Sequence, residues 1–469
     1  MDINYAVSIK PSERQLAWQK MEFYGFIHFG MNTMTDREWG LGYEDLSLFN
    51  PQHLDCRQWV QAMKAAGMRG AILTCKHHDG FCLWPSKYSK HTVAQTPWQN
   101  GHGDVVKEMS EACCEEGLKF GIYLSPWDRT EASYGEGKAY DDFYVRQLEE
   151  LLTGYGDIFE VWFDGANGEG ADGKKQVYDW ERYYDTIRKH QPEAVIAVCG
   201  PDVRWIGNEA GQTRAEEWSV VPSALRDVEK VAEKSQKVDD GKFSRKLTSG
   251  EENLGSREVL AEYEGELVWY PAEVNTSIRP GWFYHQNEDS KVRTGDELFE
   301  LYCCSVGGNG TFLLNLPPTP EGMIAPEDIR ELELLGNRLK NLRSNDEVIA
   351  AEVEFSSGRT DKAALDDEKD IYWQPTADDN RPQITLHWRK PVSCNIIILK
   401  EYIADSQRIE KCQIYYRTDG RRKMLVECGT IGYKRILRFD RVETGEITIT
   451  FPEYRIYPTI SGVQVINEE

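Results

Sequence analysis

The chain of 469 residues is long enough for two or three domains with full cores. Its 40% hydrophobic and 28% charged residues are globular composition, which excludes a disordered chain or one built into a membrane. The 55 Lys and Arg against 78 Asp and Glu leave a net charge of -23, repelling nucleic acid and anionic membrane surfaces, so the expected partner is neutral.

The chain is rich in Trp (14) and Tyr (23), whose rings suit stacking on flat apolar faces such as those of sugar rings. The 11 Cys are odd in number and form no CxxC pair or zinc-site spacing; Cys75, Cys199, Cys303 and Cys304 sit in apolar runs and are expected to be buried free thiols. Residues 1–20 lack a basic start followed by an apolar core, so no secretory leader is expected there, and no run is long enough to insert in a bilayer.

In chain order, short apolar runs alternate with amphipathic segments from Met21 to about Ser344. The predicted strands are 24–29, 71–76, 120–125, 159–164, 194–200, 216–220, 267–274 and 311–316, eight in all. Helices are predicted over 55–66, 104–116, 140–153, 178–190 and 295–305, several ended by a glycine (Gly67, Gly117, Gly154). Eight strands alternating with helices predict a (β/α)8 TIM barrel over residues 1–345, irregular in its sixth and seventh units. A charged insertion, 222–266, reads as a lid or as a solvated helix and turn, and carries Glu251, Glu252 and Glu258 as possible site carboxylates. After a charged helix at 326–344 the period changes to two: Ile384, Leu386 and Trp388 share a face, as do Cys412, Ile414 and Tyr416, with a hairpin turn at Thr418-Asp419-Gly420. Residues 346–469 are therefore predicted to form a C-terminal β-sandwich.

The predicted barrel strands end in unusual polar residues: His28 after the first, His77 and His78 after the second, Tyr123 and Ser125 at the third, Trp162 and Asp164 at the fourth. All would open on the barrel face that carries chemistry. Two chemistries fit. His28, His77, His78 and Asp164 could hold a divalent metal that activates water, although adjacent histidines need a bulge or turn to face one ion. Alternatively Asp164 is a nucleophile, the histidines bind hydroxyls, and a second carboxyl group serves as acid and base. Gly307-Gly308-Asn309-Gly310 precedes a strand and reads as a helix C-terminal turn rather than a phosphate loop, and no serine nucleophile elbow is present.

The ordered runs GFIHFGMNT, REWG, TCKHHDGFCLW, GIYLSPWD, EVWFDGA and SVGGNGTFLLNLPP, spread over roughly residues 20–320, resemble those of the α-L-fucosidases of glycoside hydrolase family 29. The resemblance implies a retaining double displacement without metal or organic cofactor, with Asp164 as nucleophile. It also implies a fucose pocket lined by His28, Glu38, Trp39, His77, His78, Tyr123 and Trp162. Trp282 is a candidate for its apolar wall, or else a core tryptophan beside the seventh strand. The run Arg204 to Gly211 resembles the acid/base loop of the subgroup that cleaves α-1,3 and α-1,4 fucosyl branches, which makes Glu209 the expected acid/base, ahead of Glu252 and then Glu217. The C-terminal strands are similar to galactose-binding-like domains. The expected partners are fucosylated, Lewis-type oligosaccharides, in a periplasmic or secreted setting; a metal-dependent hydrolase and a non-catalytic fucose-binding protein are the alternatives.

Overall fold

In the computed structural model, residues 2–235, 254–359, 361–366, 369 and 371–468 are described. Eight parallel strands form one sheet that curls into a nearly closed barrel: β1 (Phe23–Ile27), β2 (Gly70–Lys76), β3 (Lys119–Leu124), β4 (Ile158–Phe163), β5 (Val195–Val198), β6 (Arg204–Trp205), β7 (Ala272–Ser277) and β8 (Gly310–Asn315). Except for β5 and β6, the two ends of the sheet, each strand pairs with its neighbour in chain order, and β1 pairs with β8. A single bridge, Ala197 to Val203, joins the β5 and β6 sides. Most strand residues are buried because helices cover the sheet outside and side chains fill it inside, which is why these strands read as continuous apolar runs.

Four of the helices around the barrel begin at side-chain caps. Asp55, Asp104 and Asp179 accept backbone N–H groups at the starts of helices Cys56–Ala65, Val105–Glu116 and Trp180–His190, and Thr294 with Glu297 forms a capping box on Gly295–Ser305. Gly117 ends its helix at φ +78°, a conformation that favours glycine. Gly154, expected to do the same, is instead the last residue of helix Lys138–Gly154.

The sixth and seventh units differ from expectation. Residues 216–219 are not a barrel strand, and Val220–Pro222 pairs antiparallel with Leu267–Trp269 in a side ribbon. The sixth barrel position belongs to the two-residue β6, and the seventh begins only at Ala272. A strand of Arg and Trp has no apolar run to reveal it. Its Arg204 is buried only because Glu217 pairs with it, and that pairing draws the 216–219 segment against the barrel. In the insertion, Ser223–Arg226 and Val228–Lys234 form short helices, with Val231 and Ser235 packed on Gly165; Glu251 and Glu252 lie outside the described residues.

Beyond helix Pro326–Ser344, an antiparallel sheet contains β9 (Glu352–Phe355), β10 (Gln383–Lys400), β11 (Ile409–Thr418), β12 (Arg421–Cys428), β13 (Arg435–Tyr454) and β14 (Gly462–Ile466). The long β10 and β13 shift register after His387 and after Cys394, bulges that bend the pair so that both its halves enclose one core. In β10, Ile397 and Leu399 enter that core, whereas Ile396 and Ile398 pack into the barrel's own cluster. A strand buried on both faces explains the unbroken Ile396-Ile397-Ile398 run. The expected hairpin turn is present: Asp419 and Gly420 join β11 to β12 with φ +50° and +71°, the signature of a tight two-residue loop.

The Gly307–Gly310 run terminates helix Gly295–Ser305 and locks the sheet to the barrel. Asn309 donates to the Glu217 carbonyl and accepts from Tyr433 N–H. The same junction buries Glu22 between Lys400 and Lys434; burial raises its pKa, but the two ammonium charges outweigh this and hold it well below the usual carboxylate range. All 11 cysteines are free, and most are buried. No helix among the described residues is long and apolar enough to cross a membrane.

Candidate active site

A pocket of about 480 Å3, its open mouth included, lies at the C-terminal ends of the barrel strands, within the size range of small-molecule sites. His28, Glu38, Trp39, His77, His78, Trp162, Asp164, Glu209 and Trp282 line it; Tyr123 sits directly behind Asp164. The sequence reading did not select Phe26, Ala166, Ser235 or Asn275, which also line it. For Asn275 a signal was available: Glu273, Asn275 and Ser277 alternate along β7, and polar residues at period two place one face of the strand inside the barrel.

The adjacent histidines reach the same cavity because β2 stops at Lys76 and turns. The β2–β3 register slips between Thr74 and Lys76, and Gly80 N–H closes the turn on the His77 carbonyl at 3.0 Å, with Gly80 at φ +75°. The two imidazole centroids are 4.0 Å apart. Below them, the buried Lys76 ammonium pairs with Asp128 at 2.8 Å and with Gln147 at 2.9 Å.

Each ring is held in one tautomer by its neighbour. Asn315 donates to Ser277 and to the Trp282 carbonyl, so its Oδ1 is left to accept from His28 Nδ1 at 2.8 Å. Ser125 donates to the Trp127 carbonyl and therefore accepts from His78 Nδ1 at 2.8 Å. Asn32 Nδ2, which also donates to the Glu38 carbonyl, donates to His77 Nδ1 at 3.3 Å. His28 and His78 thus offer an Nε2 lone pair, and His77 an Nε2–H. Burial lowers His28 to about 3, burial and then the Arg129 charge lower His78 to about 3, and burial followed by the neighbouring rings lowers His77 well below its ordinary value. All three are neutral at neutral pH.

His77, His78 and Asp164 present ligand atoms within 4.8 Å of one another; His28 is not one of that group. The fit to a metal is poor, because with Nδ1 occupied by Asn32 the remaining nitrogen of His77 carries the proton, and a metal requires a lone pair there.

Asp164 follows β4 and is anchored at both oxygens. Ala166 N–H donates to Oδ1 at 2.7 Å and Tyr123 O–H to Oδ2 at 3.0 Å; His78 Nε2 lies 3.8 Å from Oδ2. Burial raises its pKa, and the two donors offset part of that rise.

Glu209 sits on the loop after β6. Asn208 Oδ1 accepts Ala210 N–H at 3.0 Å, Gly207 and Gly211 take positive φ, and Trp205 is tied to Asn275 at 2.9 Å, so the loop is rigidly wound. Trp282 Nε1 donates to Glu209 Oε2 at 2.9 Å. Burial, then the Asp164 charge, push Glu209 up to about 8. Trp282 is itself fixed: Glu38 accepts its N–H at 2.8 Å and that of Phe283 at 3.1 Å, and Asn315 donates to its carbonyl. Glu38 also binds His285, whose pKa this hydrogen bond raises to about 9. Trp282 is therefore a pocket residue rather than a core tryptophan, and Glu38 both lines the wall and braces it.

Among the described residues, the other candidate carboxylates lie elsewhere. Glu217 is buried between Arg204 and Arg214, and Glu258 is an exposed residue in the first turn of helix Arg257–Glu262.

A family model described as alpha-L-fucosidase matches residues 11–343. The chain is 40% identical over 465 residues to alpha-L-fucosidase 1 of Arabidopsis thaliana, covering 96% of this chain and 86% of the relative. Among solved structures, a putative alpha-L-fucosidase from Bacteroides ovatus superposes with TM-score 0.86 at 42% identity, covering 100% of this chain and 75% of that one. A Ruminococcus gnavus family 29 fucosidase in complex with fucose superposes with TM-score 0.84 at 29% identity, covering 98% and 95%.

Proposed function

The chain belongs to the α-L-fucosidases of glycoside hydrolase family 29, and from that premise we propose that it is a retaining exo-enzyme releasing α-1,3- or α-1,4-linked fucose from branched, Lewis-type glycans. The observation that carries the mechanism is that two carboxyl groups in different environments, Asp164 and Glu209, line one pocket. Glu209, pushed up to about 8, holds a proton at neutral pH, while Asp164 is kept available as a carboxylate by Ala166 N–H and Tyr123 O–H. Asp164 attacks the anomeric carbon as Glu209 protonates the leaving oxygen; Glu209, now a carboxylate, then deprotonates the water that hydrolyses the fucosyl-enzyme.

The pocket suits the sugar. The Nε2 lone pairs of His28 and His78 accept from hydroxyls, and His77 Nε2–H donates to one. Trp39, Trp162 and Trp282 supply aromatic surface for the sugar face and the C5 methyl group. The fucose held by the R. gnavus relative supports this reading. The linkage preference is supported by the Arg204–Gly211 loop and by Glu209 lying on it. Residues 346–469 would then act as an accessory, galactose-binding-like β-sandwich to the catalytic residues 1–345.

The test is chemical rescue. Asp164→Gly should lose hydrolysis of aryl fucosides and regain part of it with azide, giving β-fucosyl azide; unchanged activity would remove Asp164 as nucleophile. Glu209→Ala should give the α-configured azide product, and if Glu252→Ala does so instead, the acid/base is reassigned. Turnover of a Lewis-type trisaccharide compared with a simple aryl fucoside tests the linkage.

A further inference from the structure

Two buried carboxyl groups lie inside the barrel without a role in the double displacement. Glu273 of β7 and Glu160 of β4 are both fully buried and hydrogen-bonded to each other. Glu273 Oε1 accepts Trp162 Nε1–H at 2.7 Å, and Oε2 accepts Tyr24 O–H at 2.6 Å. Glu160 Oε2 accepts Trp18 Nε1–H at 2.8 Å, and its buried Oε1 has no donor among the described residues.

Two carboxylates in contact inside a protein do not both ionise, and the donors show which one holds the proton. Among the described residues, Glu273 accepts from Trp162 and, at 2.6 Å, from Tyr24, whereas Glu160 accepts from Trp18 and has Tyr24 only as a shared neighbour. Burial, then the Glu273 charge, raise Glu160 well above the usual carboxylate range. Glu160 is the acid, and its proton is the one shared with Glu273. The pair therefore carries one negative charge, placed on the group that receives three donors.

Trp162 lines the sugar pocket, yet its only polar hydrogen is spent on Glu273 inside the barrel. Its ring stacks on Tyr123 with centroids 5.4 Å apart and an interplanar angle of 25°, and Tyr123 O–H holds Asp164 Oδ2. A methionine at 273 would fill similar volume but leave Trp162 N–H and Glu160 O–H without their acceptor, while Tyr24 O–H could turn to Thr311, so the indole would lose its fixed setting.

We infer that Glu273, with Glu160 as its proton-holding partner, is a positioning residue of the fucosidase site: it sets the Trp162 indole against the sugar and, through Tyr123, the orientation of Asp164. The inference rests on the proposed roles of Trp162 and Asp164. Its test is a double-mutant cycle of Glu273→Met and Trp162→Phe, read as KM and kcat on an aryl fucoside, with Glu273→Gln as the conservative variant and thermal unfolding as the check on folding. Glu273→Gln keeps an acceptor for the indole and should stay within about threefold of the parent, since the hydrogen bond survives. Glu273→Met should raise KM about tenfold, equivalent to about 1.4 kcal/mol, and lower kcat as Asp164 loses its setting. The double variant should be no worse than the poorer single one, because both remove the same bond. Multiplying effects, or a folded Glu273→Met enzyme with parental KM, would overturn the inference. If Glu273→Met does not fold, Trp162→Phe decides: it must reproduce the KM rise by itself, and parental kinetics would reject the positioning role. Failure of the underlying mechanism would show differently, as an Asp164→Gly enzyme that retains activity whatever the 273 variants do.

Discussion

Replacing Trp282 by Phe keeps an aromatic wall but removes the one N–H that the Glu209 side chain accepts among the described residues, at 2.9 Å. That bond favours the charged form of Glu209 and works against burial and the Asp164 charge, which together push the group up to about 8. Without it, the carboxylate loses a hydrogen bond while the neutral acid loses little, so the pKa rises. Hydrogen bonds to charged groups contribute about 1.5–3 kcal/mol net, and one pKa unit corresponds to about 1.4 kcal/mol. With some of the loss recovered by water entering from the pocket mouth, the expected shift is about one unit, the low end of that range. The basic limb of kcat/KM reports the acid in the free enzyme, so it should move from near pH 8 to about pH 9. The assay is a pH profile on phenyl fucoside, whose poor leaving group needs protonation. His285 titrates near 9, so its share is read from a His285→Phe enzyme, whose basic limb should stay near pH 8. A Trp282→Phe limb that stays in place or moves to lower pH would refute Glu209 as the proton donor.

Other predictions concern the scaffold and the alternative chemistry. Asp128→Ala strands the fully buried Lys76 ammonium and should destabilise the protein by about 3–5 kcal/mol in urea unfolding; a loss below about 1 kcal/mol would mean that water or Gln147 satisfies the lysine. Gly336 lets helix Pro326–Ser344 pass directly over the backbone of Ala65, so Gly336→Ala should cost about 2 kcal/mol or more by pushing the two helices apart, measured as a fall in denaturation midpoint at constant slope. Gly420→Ala, at φ +71°, should cost only about 1 kcal/mol, since it strains one exposed turn. Chelator treatment should leave fucoside hydrolysis unchanged, and activity lost to chelator and restored by zinc would instead favour metal chemistry at His77, His78 and Asp164.

The parts of the barrel legible in the sequence were those whose physics is local. Strands β1 to β5 and β8 are apolar runs buried on both faces, and most of the helices between them announce themselves through Asp and Thr caps. The sixth strand was misplaced because two residues, Arg204 and Trp205, carry no periodicity, and the ion pair that buries one of them is made with a residue 13 positions later. Glu273 was passed over for a related reason. Its alternation with Asn275 and Ser277 puts Glu273 on one face of β7, but only the closing of the barrel places it beside Glu160, Tyr24 and Trp162.

The sequence by itself determined the residue types at the strand ends, the family they match and the carboxylate at the end of β4, because motif order and strand register are properties of the chain. Tertiary structure alone decided what those groups can do. The tautomers of His28, His77 and His78 are set by Asn315, Asn32 and Ser125, all of them distant in sequence from the ring they hold. The proton on Glu209 is set by burial and by the charge of Asp164, 45 residues away in the chain. Protonation depends on dielectric and on neighbouring charge, and neither exists until the barrel closes and excludes water from the pocket.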